Sequence, residues 1–222
     1  MSRKWASPKF PDSYIGKKSK EYDNSIWMER NQKKATLSCV SYLYDKKLDE
    51  LGKLDHLSKE GSLILDMGCG TGFSSEILVS QGFRVVAIDI LIDMIYKARE
   101  KKETYEEYDF IDLILADINY LPFRDNSFEV AISVSAYNFI IHNLHNKEDK
   151  NTKLYKTART LFEILKSKGR IVIEFYPADQ EELELFSTSF TENGFDGFLI
   201  KKKENQQSGQ TFLLLKKIGE SK

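Results

Sequence analysis

The stretch Asp66-Met67-Gly68-Cys69-Gly70-Thr71-Gly72 constrains this chain more than any other. It follows the apolar run Ser62-Leu63-Ile64-Leu65 and precedes a helical pattern from Phe73 to Gln81, so it is a strand–turn–helix junction. Glycines at such a junction turn tightly and let a ligand approach the backbone, and the following helix N-terminus offers unpaired N–H groups. The third glycine comes two residues after the second, G-x-G-x-G, whereas the dinucleotide fingerprint places it three after. Asp66 opens the loop with a carboxylate, which suits a ligand carrying an amino group or a sulfonium charge better than a pyrophosphate.

From Gly61 onward, short β-branched runs alternate with helical patterns, the signature of a doubly wound parallel sheet with helices on both faces. After the strand Ser62–Met67 and its helix come a second strand, Arg84–Asp89, and a helix Leu91–Lys102 with Leu91, Met94, Ile95 and Ala98 at helical spacing. A third strand is expected over Ile111–Asp117 and a fourth over Phe128–Val134. A helix from Thr152 to Lys166 is expected to stop at Gly169 before a fifth strand, Arg170–Tyr176, and a helix Asp179–Asn193 to stop at Gly194. The last runs, Gly197–Lys203 and Thr211–Ile218, flank the turn-forming Asn205–Gly209 and read as an antiparallel hairpin. The expected fold is α/β: a Rossmann-like, seven-stranded, mostly parallel sheet ending in that hairpin. This is the topology of class I S-adenosylmethionine (AdoMet) methyltransferases.

Residues 1–60 differ in kind, being Lys-rich with Trp5, Phe10, Tyr14, Tyr22 and Trp27 ahead of an amphipathic stretch from Met28 to Leu57. They read as a helical extension, either a lid over the carboxyl edge of the sheet or helices that only buttress the core, with residues 61–222 as the cofactor-binding domain. The 33 Lys+Arg against 34 Asp+Glu exclude the bulk polyanion binding of a strongly basic domain, so any nucleic-acid contact must be local. Apolar runs are far shorter than the roughly 18 residues that span a bilayer. The first ten residues lack the apolar core of a signal peptide. Cys39 and Cys69 form neither a disulfide framework nor a zinc knuckle, which points to a reducing cytoplasm.

Chemistry gathers at the strand ends. With Asp66, Gly68, Cys69, Gly70 and Gly72 in the first junction, Asp89-Ile90 ends the second strand, where a carboxylate can accept hydrogen bonds from both ribose hydroxyls. Asp117-Ile118 follows the third strand, placed to meet an adenine amino group and ring face. Three sites at three successive strand ends point to AdoMet. After the fourth strand comes Ser133-Val134-Ser135-Ala136-Tyr137-Asn138-Phe139, where the acceptor is expected. It contains no Asn/Asp-Pro-Pro-Tyr/Phe, which argues against an exocyclic base amine as acceptor, and no cysteine pair suits attack on cytosine C5. Transfer to a ring nitrogen lone pair needs positioning and little acid–base help. Tyr137, Asn138 and Tyr176 are expected to line the acceptor pocket. His142 and His145 stand at i, i+3 without a convincing third ligand and read as solvated or hydrogen-bonded, so no metal is expected. Lys201-Lys202-Lys203 reads as a solvated strand end.

These residues resemble one family in particular. Ile64–Gly72, Leu121-Pro122-Phe123-Arg124 with Ser127-Phe128, and Ala131–Ala136 are similar to the eukaryotic small-subunit ribosomal RNA guanine-N7 methyltransferases, as are Phe175-Tyr176-Pro177 and Gly194-Phe195-Asp196-Gly197. That family carries Gln-Trp where this chain has Asn138-Phe139. Its members continue into a Lys/Arg-rich tail, so the shorter, near-neutral chain is expected to be an archaeal relative lacking the tail. The resemblance implies AdoMet as cofactor, ribosomal RNA as substrate, and a small zinc-binding activator subunit that adds a strand to the sheet. The apolar Ile111–Leu115 is the expected edge strand and lacks the charges or proline that usually protect an edge; the Glu103–Asp109 loop is the other candidate to cover it. A small-molecule methyltransferase and an assembly factor that binds AdoMet without needing transfer are the alternative functions.

Overall fold

The computed structural model describes residues 9–52, 57, 61–104, 109–201 and 210–219. Three N-terminal helices, α1 (Lys17–Asp23), α2 (Ile26–Leu43) and α3 (Lys46–Glu50), precede an alternating core. That core runs β1 (Leu63–Met67), α4 (Phe73–Ser80), β2 (Arg84–Asp89), α5 (Ile92–Lys102), β3 (Ile111–Leu115) and β4 (Phe128–Val134). A 3₁₀ turn over Tyr137–Ile141 leads to α6 (Lys147–Ile164), β5 (Leu165–Phe175), α7 (Gln180–Thr191), β6 (Phe195–Lys201) and β7 (Thr211–Lys217).

The seven strands form one sheet in the order β3-β2-β1-β4-β5-β7-β6. β1 to β5 are mutually parallel, and β7 runs antiparallel to both β5 and β6. The sequence-expected class I methyltransferase topology is therefore present, with a single reversed strand inserted between β5 and the edge. Order reverses between β1 and β4, so the carboxyl ends of those strands open the crevice where ligands of such sheets bind.

Alternate side chains along each strand feed two apolar layers. One holds Leu65, Met67, Val86, Ile88, Ile171, Ile173 and Phe175 against α6 and α7. The other holds Ile64, Val85, Ala87, Ile132, Val134 and Val172 against α2, α4 and α5. α2 starts at the cap Ser25, whose hydroxyl accepts the Met28 N–H, and buries Ala35, Thr36, Cys39, Val40 and Leu43 on one face. Two buried clips fasten the N-terminal helices. The Arg170 guanidinium donates to the Leu43 carbonyl and pairs with Asp49 at 2.6 Å, while Lys216 reaches the Asp49 carbonyl.

The structure differs from the sequence expectation between Thr152 and Arg170. α6 begins at Lys147, because Asn146 caps it by accepting the Asp149 N–H. It passes straight into β5 at Leu165, with no helix stop at Gly169. The buried Lys217 amine takes up the Phe162 and Leu165 carbonyls that a C-cap would otherwise serve. Gly169 instead answers a bulge in β5: a Cβ there would stand 2.9 Å from the Lys166 carbonyl oxygen and 3.3 Å from that of Glu129. Gly197 is likewise explained by packing, since a Cβ would lie 1.9 Å from the Leu214 carbonyl oxygen. The Asn205–Gly209 turn, Trp5, Lys202 and Lys203 lie outside the described residues, as does most of the Glu103–Asp109 loop.

Candidate active site

The junction after β1 is built so that its backbone, not its side chains, faces the crevice. Gly68, Gly70 and Gly72 all have positive φ (78°, 56° and 91°), a region that other residues enter at a cost. The Gly68 and Cys69 N–H groups both donate to the Ile88 carbonyl at 2.9 Å, tying the loop to β2. A Cβ on Gly68 would sit 2.2 Å from the Ala136 Cβ and 4.0 Å from Ile118, so the segments after β1, β3 and β4 converge on this glycine. At Gly70 nothing lies within 4 Å of the corresponding point. The first glycine is therefore needed for packing and the second leaves open space for a ligand.

Asp66 is fully buried and its Oδ2 accepts both the Ser74 and Ser75 hydroxyls at 2.6 Å, which anchors the start of α4. Its Oδ1 is buried without a hydrogen-bond partner. Burial raises the Asp66 pKa from 3.8 to about 6, against the lowering effect of the two hydroxyls. Asp89, at the end of β2, accepts the Gly70 N–H at 2.9 Å and the Leu91 N–H at 2.8 Å, one on each oxygen, and burial raises its pKa too. Each oxygen keeps acceptor capacity. Ile90 beside it is half exposed. Asp117 receives both the backbone and the side-chain N–H of Asn119 at 2.8 Å, and Ile118 packs against the main core.

Other expected residues have different surroundings. Cys69 points into the apolar layer with its thiol pKa pushed up by burial, so only its backbone faces the crevice. The Ser133 hydroxyl donates to the Met67 carbonyl at 2.8 Å and ties β4 to β1. Tyr137 was expected in the acceptor pocket; its ring is fully buried against Phe186 and Phe190, 5.6 and 5.8 Å between centroids. It supports the 3₁₀ turn from behind, because the first residue of that turn faces α7. Asn138 and Tyr176 do meet. The Asn138 amide donates to the Tyr176 carbonyl at 3.0 Å and accepts the Tyr176 N–H at 3.1 Å, joining the loops after β4 and β5. The Tyr176 side chain stays 44% exposed.

The N-terminal aromatics reach the same place. Phe10 stacks on Phe139 at 4.8 Å, Tyr14 meets Phe139 edge-on at 5.8 Å and Tyr22 at 5.7 Å, and Tyr22 stacks on Phe73 at 6.1 Å. Burial and the nearby Asp89 carboxylate raise the pKa of both tyrosines, and Glu174 adds to the effect on Tyr22. Lys101 locks this layer down, pairing with Asp23 of α1 at 2.5 Å, donating to the Thr71 carbonyl at 2.9 Å and lying 3.9 Å from the centre of the Phe73 ring. Sequence reasoning included Ser135 in the acceptor stretch but missed its partner Glu174. Ser135 has φ +56°, its N–H donates to the Glu174 carbonyl at 3.0 Å, and its hydroxyl donates to Glu174 Oε2 at 2.6 Å.

Residues 65–173 match the family described as a methyltransferase domain. The chain has the class I methyltransferase fold, and the matched residues run from β1 to β5 of its sheet. It is 35% identical over 153 residues to the 18S rRNA (guanine-N(7))-methyltransferase of Bos taurus, covering 68% of this chain and 52% of that protein. A Schizosaccharomyces pombe protein of the same description is 31% identical over 169 residues, 75% of this chain and 61% of that one. The chain spans about half the length of the first curated relatives it matches. Among solved structures, the magnesium protoporphyrin IX methyltransferase of Synechocystis PCC 6803 with bound SAM superimposes with a TM-score of 0.63 at 16% identity, over 93% of this chain and 94% of that one. At that identity the likeness is one of fold.

Proposed function

We propose that this protein is an AdoMet-dependent methyltransferase acting on RNA, with guanine-N7 of small-subunit ribosomal RNA as its acceptor. The observation that carries the reading is the 35% identity to an 18S rRNA guanine-N7 methyltransferase over 153 residues, 68% of this chain. The donor set supports the cofactor: an orphaned carboxylate oxygen on Asp66, an Asp89 carboxylate with capacity left, and open space over Gly70.

In this reading Asp66 answers the cofactor's amino group, Asp89 takes the ribose hydroxyls, and Asp117 and Ile118 flank the adenine, with Gly68, Cys69, Gly70, Gly72, Ile90 and Ser133 shaping the cradle by backbone and packing. AdoMet, when bound, supplies an electrophilic methyl carbon whose displacement by the N7 lone pair leaves the electron pair on sulfur and the positive charge on the purine. No proton moves, so the protein's task is positioning and water exclusion. Asn138 and Tyr176 hold two loops together at the acceptor side, and the aromatic layer of Phe10, Tyr14 and Tyr22 acts as the lid. Stacking on such faces suits an extruded base and the cationic product.

A strand-adding partner, the zinc-binding activator subunit, belongs to the same reading. β3 is the sheet edge, Leu115 is 51% exposed, and a groove of about 680 Å³ runs beside the strand between Leu113, Ile114, Phe123 and Phe128. Two buried free thiols are in keeping with a reducing cytoplasm. Among the described residues no helix is long and apolar enough to cross a membrane. The test is to incubate the protein with methyl-labelled AdoMet and either total RNA or a metabolite extract. Label in RNA supports the proposal; label confined to the metabolites replaces it with a small-molecule acceptor.

A further inference from the structure

Glu174 is completely buried near the carboxyl end of β5. Its Oε2 accepts the Ser135 hydroxyl at 2.6 Å and its Oε1 accepts the Gln210 amide at 3.0 Å, and among the described residues no lysine or arginine pairs with it. A buried carboxylate balanced only by neutral donors costs the fold free energy, and such groups concentrate at functional sites. The left-handed backbone of Ser135, φ +56°, adds a second cost whose effect is to hold that hydroxyl on the carboxylate.

Register places Glu174 in the site. Met67 pairs with Ile88, Asp66 with Ile132, and Val134 with Glu174, so Asp89, Gly68, Val134 and Glu174 lie in one row across the carboxyl ends of β2, β1, β4 and β5. Side chains alternate along each strand, and Val172, two residues before Glu174, and Ala87, two before Asp89, both belong to the layer under α2, α4 and α5. Glu174 and Asp89 therefore project from the same face, three strand steps or about 14 Å apart. Both carboxylates add to the rise in the Tyr22 pKa that burial causes. If the ribose is held at Asp89, the acceptor lies on the β4–β5 side, toward Glu174.

We propose that Glu174 is a specificity-determining residue that selects guanine by accepting hydrogen bonds from its N1–H and 2-amino N–H. The inference rests on the guanine reading above. Each carboxylate oxygen already accepts one hydrogen bond and keeps one acceptor direction, so two parallel N–H donors complete the set. Among the four RNA bases only guanine offers two adjacent donors on its Watson–Crick edge. The negative charge also favours a base that becomes cationic at N7. Because Glu174 is fully buried, a neighbouring side chain must move to admit the base; Gly16, the N-cap of α1, has φ of 58° and ψ of −131°, which suit a glycine hinge.

The test replaces the methylated guanine in a small-subunit rRNA fragment by inosine, which keeps N1–H and lacks the 2-amino group. The wild-type protein is expected to lose about tenfold to hundredfold in kcat/KM on inosine, the effect of one hydrogen bond to a charged acceptor. Glu174→Gln is expected to lose a similar factor on guanine and to bring the guanine-to-inosine ratio close to one, while calorimetry with S-adenosylhomocysteine shows its Kd changed less than about threefold. Equal use of guanine and inosine by the wild type overturns the inference without any variant. A full ratio in Glu174→Gln, or loss of S-adenosylhomocysteine binding with an unchanged ratio, assigns the carboxylate elsewhere. Failure of the wild type to methylate any guanine refutes the parent reading and takes this one with it.

Discussion

Substituting alanine at Gly68 and at Gly70 separates packing from ligand binding within one loop. Both residues have positive φ, so alanine at either costs about 1–2 kcal/mol of backbone strain. At Gly68 the new methyl would also stand 2.2 Å from the Ala136 Cβ. Neither atom is at the end of a flexible chain, so the loop after β4 must shift, adding about 1–3 kcal/mol of overpacking. Gly68→Ala should therefore lose about 2–5 kcal/mol of stability, much of what a domain of this size possesses. Gly70→Ala meets no protein atom within 4 Å and should lose only about 1–2 kcal/mol. Its methyl instead enters the space where the cofactor is expected. Urea unfolding gives the stabilities and calorimetry with S-adenosylhomocysteine the affinities. Gly70→Ala should fold and bind at least tenfold more weakly. Wild-type affinity in Gly70→Ala would refute the cradle assignment, and wild-type stability in Gly68→Ala would refute the packing of the two loops.

Two further outcomes follow from buried charge. Asp66 has its pKa raised from 3.8 to about 6, so ionising it in the ligand-free fold costs about 3 kcal/mol. That stability is fully present below pH 4 and is lost as pH rises through 6, so Asp66→Asn should flatten this part of the urea-unfolding profile and stabilise the ligand-free protein at pH 7. If the ionised Asp66 meets the cofactor's amino group, S-adenosylhomocysteine should bind about tenfold more weakly at pH 5 than at pH 7, and Asp66→Asn should abolish that dependence. Asp49→Ala removes the carboxylate beside the buried Arg170 guanidinium and should cost about 3–5 kcal/mol in urea unfolding, with the N-terminal helices released first by hydrogen exchange.

Local patterning was enough to place most of the sheet. Arg84–Asp89 and Phe128–Val134 have the expected bounds because buried parallel strands are continuous β-branched runs ended by a charge or a turn. The region after α6 differs from the expectation because Gly169 looks like a helix stop, while the Lys217 amine that serves the last helical carbonyls comes from 52 and 55 residues away, and the bulge in β5 is set by its pairing with β4. Long-range capping leaves no local signal. The meeting of the glycine loop with the ends of β2, β3 and β4 was legible, since each lies where a strand pattern stops. Tyr137 was not, because a one-residue difference in the 3₁₀ turn decides whether a ring faces α7 or the crevice. Glu174 escaped notice for a similar reason: a single glutamate in an apolar strand reads as a solvent-facing residue until the register sets it in line with Asp89.

The most direct measurement maps N7-methylguanosine in small-subunit ribosomal RNA from cells with and without the gene, and from cells carrying the Asp89→Ala form. One N7-methylguanosine should vanish in the deletion and in Asp89→Ala, and return with the wild-type gene. An unchanged methylation map in the deletion would contradict ribosomal guanine as the acceptor, whatever the protein binds in its crevice.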